Sequence, residues 1–383
     1  MRVALLLITG LGIVVFIKMP FLTAWDFRNN LWGPAYLLLH GRSPYDIAAL
    51  FQCCNAVWFP MIIGLLFPLG WLAQSEATNL WLIANLAMLI AVVWLSLRAR
   101  RPPLRFLTTA LILAFIFPST VSHLVLGQLT LAVVLLALIV ARLTLPPRPE
   151  PDPRLDRGLS KGVEGPRPML AGAMAALALA KPQLAILFIP GLMLTFARIG
   201  GRRAVALFLT AITATTALLV LPLYAGYPAW PDDFLATVRA TPEWAHPSLL
   251  TLLDSHLGTM GLIVWGIIFT AGFGVNLWLW RRRPAQDAMN LSLALTAAIS
   301  PYIQSWDFVM LLPLTVQVAS RLQSPTARLA LVASYWVGWA SFMGLRFNSD
   351  NSEALYWWVP WLALAALAGA QGIDAKWNPA GHP

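Results

Sequence analysis

Four ionisable or amide side chains stand beside long apolar runs in this sequence, at positions where each could take part in chemistry. Asp26 follows the first apolar run, and a carboxylate held there could accept a proton as a general base. Lys181 lies in "KPQ" between two short apolar runs, where its ammonium group could bind an anion. Gln128 opens a predicted helix whose first amides attract anions, unless it simply caps that helix, and Asp307 begins another helix, whose dipole favours a carboxylate. His123, one turn before Gln128, is expected to be solvated.

The segment around Lys181 predicts a broken helix. Two membrane spans need about 40 residues, whereas residues 168–199 supply 32. Pro182 prevents the helix from continuing and frees carbonyl groups that need a lined cavity. A lysine inside a membrane is costly unless it is paired, so Lys181 is either a functional residue in such a cavity or a side chain that extends to the lipid headgroups.

The segment after Asp26 predicts a short helix that lies on the membrane. The stretch "NNLWGPAYLLLHG" has Pro34 near its start and Gly41 at its end, which suit the first turn and the C-cap of a helix. Position alone favours an ordinary solvated acid at Asp26, but this helix and the turn at Ser43–Tyr45 could hold the carboxylate against the membrane. The residues expected to face lipid or protein are Leu31, Trp32, Ala35, Leu38 and Leu39.

The composition excludes a soluble protein. Of the 383 residues, 59% are hydrophobic and 11% are charged, whereas a soluble domain carries about 25% charged residues. The 18 Trp and 18 Phe suit membrane interfaces. The net charge of +10 is explained by basic residues kept on the cytoplasmic side of a membrane, so we predict no nucleic-acid partner. The predicted fold class is an all-α polytopic membrane protein.

The apolar runs and the basic clusters together predict about twelve spans, with both termini in the cytoplasm. The basic segments assigned to the cytoplasm are 98–105, 148–167, 198–203, 281–283 and the pair Arg321/Arg328. The predicted spans are 3–22, 76–97, 104–122, 129–145, 168–181, 183–199, 203–224, 259–280, 286–303, 307–320, 328–345 and 354–373. The first is taken as an uncleaved span because no convincing signal-peptidase site follows it.

Two of the loops have predicted structures of their own. Segment 23–75 is external, and residue 98 is internal, so only one crossing can separate them. The apolar run 57–73 is short and interrupted by prolines, so it is predicted to be an interfacial or re-entrant helix rather than a span. Loop 146–168 is rich in Pro, Gly and charge, which predicts a flexible cytoplasmic linker.

Several motifs occur in a characteristic order within residues 23–313. They are "WDF…YLLLHGRSPYD", "WFPMIIGLLFPLGWL", "GQLT", "LALAKPQLAILF", "AHPSLLTLL" and "SPYIQSWD". This order resembles that of glycosyltransferase family 87, in the GT-C superfamily, which includes polyprenyl-phosphate-mannose-dependent mannosyltransferases of phosphatidylinositol mannoside synthesis. The chain departs from the family pattern at Thr130 and His246, where Asn is usual, and at Asp307-Phe308, where some members have two histidines.

The resemblance implies a function as well as a fold. It implies a single GT-C-like transmembrane domain over residues 1–383 of a multi-pass protein of the plasma (cytoplasmic) membrane. The implied enzyme is a hexosyltransferase that moves a hexose, with mannose expected, from a polyprenyl-phosphate donor to a lipid or glycan acceptor on the outer face. Membrane lipids are its other partners. No cofactor is implied, and no cluster of Asp and Glu resembles a dedicated metal site.

The resemblance also implies roles for individual residues. Asp26 would be the general base that takes the proton of the acceptor hydroxyl, and one carboxylate suffices for a single displacement that inverts the sugar. The leaving phosphate needs cationic or amide partners. The residues expected to bind donor phosphate or substrate are Lys181, first, and then Gln183, Gln128, His246, Arg239, Asp307 and Tyr45.

Two other classes of membrane protein remain open. A lipid-linked-sugar flippase or transporter would show internal repeats and polar residues in both halves of the membrane. The sequence shows no repeat, and we expect no polar residues in the cytoplasmic half. A cell-surface polysaccharide ligase or polymerase would use large external loops with several Arg and His, whereas loop 225–258 has only Arg239, His246 and His256.

Overall fold

The computed structural model describes six stretches of the chain. They are residues 24–51, 59–97, 103–144, 167–240, 246–348 and 352–377. Helix makes up 85% of these residues, and they contain no β-strand, which confirms the all-α prediction. The predicted first span 3–22 and nearly all of the predicted linker 146–168 lie outside the described residues.

Seventeen helices follow one another in the described residues. The first nine are α1 (Phe27–Trp32, π-helical), α2 (Gly33–Leu39), α3 (Pro60–Leu66), α4 (Gln74–Leu97), α5 (Leu104–Ile116), α6 (Pro118–Leu126), α7 (Thr130–Leu143), α8 (Pro168–Ala178) and α9 (Pro182–Ala185). The next eight are α10 (Phe188–Gly226), α11 (Trp230–Ala240), α12 (Leu249–Leu257), α13 (Thr259–Arg282), α14 (Ala285–Ile299), α15 (Leu312–Arg321), α16 (Pro325–Asn348) and α17 (Val359–Trp377). Short 3-10 segments occur at Ile47–Ala49, Phe67–Trp71, Ser305–Leu311 and Glu353–Tyr356.

The helix predicted after Asp26 is present as α1 and α2. Pro34 lies in the first turn of α2, and Gly41 follows its end with φ +64°, a left-handed conformation that glycine adopts without strain. The apolar residues predicted to face lipid or protein face protein, because Leu31, Trp32, Ala35 and Leu38 are buried. The helix is therefore packed into the protein core.

The longest helix, α10, reverses direction at Gly201. Gly201 has φ +62° and ψ −157°, which is not helical. The ring centroids of Phe196 and Phe208 are 5.1 Å apart, whereas twelve residues of straight helix would separate them by about 18 Å. The sequence "RIGGRR" therefore forms a turn between two helical arms, as the predicted spans 183–199 and 203–224 require.

The predicted count of twelve spans is not confirmed. Within the described residues, three helices are long and apolar enough to cross a membrane: α4, α10 and α13. A fourth results if α5 and α6, which bend by 63° at Pro118, form one broken span. Several other predicted spans correspond to shorter helices such as Thr130–Leu143, whose 14 residues rise by about 21 Å, less than the hydrocarbon thickness of about 30 Å. The chain is a helical membrane protein by these criteria.

Basic residues gather at one end of the helix bundle. Arg198 donates a hydrogen bond to the carbonyl of Arg281 at 3.1 Å, so the turn of α10 lies beside the end of α13. Arg142, near the end of α7, donates to Oε1 of Gln286 at 3.4 Å. Because α7 begins at Thr130, about 18 Å away along the helix axis, Thr130 marks the opposite end of the bundle. We call these the basic end and the Thr130 end.

Buried polar side chains also lie near the basic end. Asn290 donates to Gln317 at 3.0 Å. Gln317 donates to Asp287, which pairs with Arg321 at 2.8 Å. From the sequence we expected no polar residues in the cytoplasmic half, whereas these side chains lie beside the basic loops and pair between α14 and α15. The pairs join the two helices.

Candidate active site

Asp26 lies directly before α1, where the chain passes the end of α6. The backbone N–H of Ala24 donates to the carbonyl of Val125, which fixes this approach. Two amide side chains donate to the Asp26 carboxylate: Gln128 to Oδ2, and Asn30, one helical turn later, to Oδ1 at 3.4 Å. The carboxylate is thus held by the protein while its side chain stays partly exposed.

Lys181 lies in the predicted helix break and reaches the same group of side chains. It precedes α9 with φ −122° and ψ 81°, so the helix that ends at Ala178 does not continue through it. Lys181 is 5% exposed, and its ammonium group donates to Gln128 Oε1 at 3.0 Å, to Thr130 Oγ1 at 3.0 Å and to Asp307 Oδ1 at 2.9 Å. An ammonium group has three N–H donors, so each of them has an acceptor. The Gln128 amide therefore joins Lys181 to Asp26.

Asp307 balances the charge of Lys181. Its side chain is 1% exposed, and Oδ1 accepts from both Lys181 and Thr130. Its Oδ2 accepts from the backbone N–H of Gln304 at 3.2 Å, which caps the 3-10 segment Ser305–Leu311. The cap explains only one carboxylate oxygen. The other oxygen, Oδ1, forms a buried ion pair with Lys181. A carboxylate that served only the helix dipole would not need such a pair.

His246 extends these contacts toward the loop before α12. The Gln304 amide nitrogen lies 2.7 Å from His246 Nδ1, so Nδ1 accepts and the imidazole proton lies on Nε2. The imidazole ring packs on Tyr302 with centroids 4.1 Å apart. Burial lowers the pKa of His246, which favours the neutral ring. We define the polar network as Asp26, Asn30, Gln128, Thr130, Lys181, Gln304, Asp307 and His246.

A tight turn places Gln128 at the centre of the polar network. Gly127 has φ +70° and ψ 41°, and a Cβ added there would lie 2.7 Å from Phe27 Cβ, so no other residue fits without a shift. Trp81 donates from its indole N–H to the Gly127 carbonyl at 2.7 Å. The Phe27 ring stacks on Trp81 at 5.2 Å. The turn that holds Gln128 therefore also holds the residue next to Asp26.

His123 supports the same turn from inside the protein. Its carbonyl accepts the N–H groups of Gly127 at 2.9 Å and Gln128 at 3.0 Å. Its Nε2 lies 2.9 Å from Asn85 Oδ1, and because the Asn85 amide nitrogen donates to the Trp81 carbonyl, Nε2 carries the proton. The expectation that His123 is solvated is wrong: the side chain is fully buried because α4 covers it.

The environment of Asp26 makes it a stronger base than an ordinary aspartate. Burial raises the pKa of its carboxyl to about 6 from 3.8, although the Gln128 hydrogen bond and the Lys181 charge act in the opposite direction. At neutral pH the group is mostly ionised. A base with a pKa near the working pH accepts a proton more readily in a transition state than one with a pKa near 4.

Three of the predicted site residues are not brought into the polar network. Gln183 accepts a hydrogen bond from Ser300 at 3.4 Å through its carbonyl, not its side chain. Arg239 is exposed on α11, and no hydrogen bond joins it to the network within the described residues. Tyr45 is buried beside Phe234, at 5.5 Å between ring centroids, with no hydrogen-bond partner for its hydroxyl in the described part of the chain. Among the residues that the structure describes, no hydrogen bond joins any of these three side chains to the polar network.

Three residues of the network were missed in the sequence. Asn30 lies four residues after Asp26, the spacing at which helical side chains meet. Gln304 precedes Asp307 by three residues, the spacing of a capping box. Thr130 is the last residue of "GQLT", where only its difference from the family pattern was noted. The first two spacings are sequence signals that could have found them.

The polar network can perform acid–base chemistry on a ligand that reaches Asp26. It offers one carboxylate with solvent access, one buried carboxylate neutralised by a lysine, and an imidazole whose Nε2–H can donate. No group of three or more His, Cys, Asp or Glu side chains that could hold a metal ion occurs among the described residues.

Comparison with known protein families identifies a match. The family model of glycosyltransferase family 87 matches residues 59–304, more than half of the chain, and confirms the resemblance seen in the motifs. The matched range includes Gln128, Lys181, Gln304 and His246, whereas Asp26 lies outside it. No curated protein matches the chain, and no solved structure does.

Proposed function

The chain belongs to glycosyltransferase family 87, and we propose that it transfers a hexose, with mannose the expected sugar, from a polyprenyl-phosphate donor to a lipid or glycan acceptor. One observation carries the proposal: a partly exposed carboxylate, Asp26, is joined through one amide, Gln128, to a buried lysine–aspartate pair. A helix break supports this proposal, because irregular backbone within a membrane is tolerated where it lines a cavity, and Lys181 lies at such a break.

Asp26 is the general base in this proposal. It accepts the proton of the acceptor hydroxyl while the hydroxyl oxygen attacks the anomeric carbon and the bond to the lipid phosphate breaks. A retaining reaction would need a second carboxylate as nucleophile. Asp307 is poorly suited to that role because both of its oxygens accept hydrogen bonds and Lys181 pairs with it. A single displacement with inversion follows.

In this proposal His246, rather than Lys181, is the direct partner of the leaving phosphate. Lys181 ranked first from the sequence, but its three N–H groups already have acceptors, so a phosphate would have to displace Asp307 or an amide. We therefore assign Lys181 to balancing Asp307 and to holding Gln128 in place. The His246 Nε2–H, which the Gln304 contact leaves available, is the better candidate for a direct hydrogen bond to the phosphate.

The side of the membrane follows from the two ends of the bundle. The polar network lies at the Thr130 end, and the clustered arginines lie at the basic end. Because basic residues are retained in the cytoplasm, the network faces outward in this proposal. Nucleotide sugars are absent there, which favours a lipid-borne donor. The plasma membrane and the cytoplasmic termini belong to the same proposal.

A transfer assay with two donor classes tests this function. Purified protein in liposomes is given radiolabelled polyprenyl-phosphate mannose or GDP-mannose, with a lipid extract as acceptor. We expect label in product from the lipid donor alone, and its loss in Asp26→Asn but not in Asp46→Asn, an exposed aspartate in the same loop. Transfer from GDP-mannose would contradict the donor assignment. Movement of labelled lipid across the bilayer without any transfer would favour the transporter instead.

A further inference from the structure

An apolar groove lies between α5, α15 and α16, away from the polar network. Its main cavity has a volume of about 650 Å³, and a smaller one of about 100 Å³ continues it toward α17. Leu312, Leu331 and Tyr335 line both, so the two form one groove. Along α16 the lining extends from Arg328 to Phe342, about 21 Å at the rise of an α-helix, which exceeds the hydrocarbon thickness of one leaflet, about 15 Å.

Away from its arginines, most hydroxyl groups in the walls of the groove are already hydrogen-bonded within the protein. The hydroxyls of Thr109 and Thr315 donate to carbonyls of their own helices. Ser320 does the same, and the Tyr335 hydroxyl donates to the carbonyl of Leu113 at 2.9 Å, which ties α16 to α5. A space lined in this way favours hydrocarbon over water, because a bound water needs several polar partners.

Two arginines stand together at one end of the groove. Arg105 is exposed in the first turn of α5, and Arg328 is exposed in the first turn of α16. Arg328 donates from Nε and Nη2 to the carbonyl of Leu322, which holds its guanidinium group at the groove. The lining includes no acidic residue, whereas the nearby Arg321 is neutralised by Asp287. The positive ends of two helix dipoles add to this charge.

We propose that this groove binds an anionic glycerophospholipid, with one acyl chain along α16 and the phosphate at Arg105 and Arg328. The charge of the two arginines selects an anionic headgroup. This lipid is distinct from the glycosyl donor because Arg105 and Arg328 lie at the basic end, beside the end of α15 that carries Arg321. The donor's phosphate has to lie at the Thr130 end, near Asp26. The site therefore does not depend on the proposed reaction.

Photolabelling of the full chain tests this site. Purified protein in detergent is titrated with phosphatidylglycerol that carries a photoactivatable group on one acyl chain, and labelled peptides are identified by mass spectrometry. We expect saturable labelling of α5 and α16, and weaker labelling by the matching phosphatidylcholine. In Arg105→Ala/Arg328→Ala the half-saturating concentration should rise about thirtyfold. The control is Arg282→Ala/Arg283→Ala, which removes two exposed arginines at the end of α13 and should leave labelling unchanged.

A second variant tests the acyl-chain part of the site. Gly338 lines the groove, and a Cβ there would meet only Leu362, at 3.7 Å, so a side chain can enter the space. Gly338→Phe should reduce labelling by both lipids. Equal labelling in the double arginine variant and in wild type, or an equal loss in the control, would overturn the proposal. Displacement of phosphatidylglycerol by equimolar undecaprenyl phosphate would assign the groove to a polyprenyl tail instead.

Discussion

Replacing Asp26 by Asn should abolish transfer and, at neutral pH, make the protein more stable. The new amide fits the site. Its oxygen can still accept from Gln128, and its nitrogen can donate to Asn30 Oδ1 after that amide rotates, because this oxygen has no partner in the described structure. The substitution therefore removes a charge and a base, and the rotation exchanges one unpaired atom of the Asn30 amide for the other without adding to their number.

The size of the stability gain follows from the pKa of Asp26. Its folded-state pKa of about 6 lies above 3.8, so the ionised carboxylate is less favourable in the folded protein than in the unfolded chain. The difference amounts to about 3 kcal/mol of unfolding free energy. This penalty is small at pH 4 and below, grows between pH 4 and pH 6, where only the unfolded chain is ionised, and is complete at pH 8. Asp26→Asn should remove it at pH 8 and change little at pH 4.

Thermal unfolding and transfer are then measured on the same preparations. We expect the apparent Tm of Asp26→Asn to exceed that of wild type by several degrees at pH 8 and to match it near pH 4, whereas transfer falls by about 100- to 10,000-fold. Asp46→Asn is the matched control, because Asp46 is an exposed residue paired with Arg42 at 3.6 Å, and should change neither quantity. An Asp26→Asn protein less stable than wild type at pH 8 would refute the reasoning.

Three further predictions concern the support of the site. Lys181→Met should lower the free energy of unfolding by about 3–5 kcal/mol because it leaves Asp307 buried and unpaired. When Asp307→Leu is added, size-exclusion chromatography should again show folded protein, although this double variant should not catalyse transfer. A single variant as stable as wild type would contradict the role of the ion pair. Gly127→Ala should lower the yield of folded protein far more than Gly338→Ala, because only a Cβ at position 127 would lie 2.7 Å from Phe27 Cβ on a backbone with positive φ. Equal yields would contradict the requirement for glycine at this turn. Gln128→Met should move the acid limb of the pH–rate profile above 6, because the Gln128 hydrogen bond no longer lowers the pKa of the Asp26 carboxyl; an unmoved limb would remove this role of Gln128.

Local features of the fold could be predicted from the sequence because short-range chemistry determines them. Pro182 breaks the helix beside Lys181, and Gly41 ends the helix that follows Asp26, as their backbone preferences require. The glycine pair in "RIGGRR" likewise reverses α10 at Gly201. Each of these features depends on one or two residues and their immediate neighbours.

The contacts that assemble the site could not be predicted in the same way. Lys181 and Asp307 are 126 positions apart, and Gln128 is 102 positions from Asp26, so only the packing of helices brings them together. His123 was expected in water because its partner Asn85 lies on another helix. Tyr45 was assigned to the site from its motif, but packing places it in an apolar cluster.

The pH dependence of kcat/KM tests the central claim most directly, because it reports the ionisation of the base in the free enzyme. With a polyprenyl-phosphate hexose as donor, we predict one ionisation with a pKa of about 6, with activity falling tenfold per pH unit below it. A profile that stays flat from pH 5 to pH 8, in a protein that remains folded throughout, would show that Asp26 is not the base.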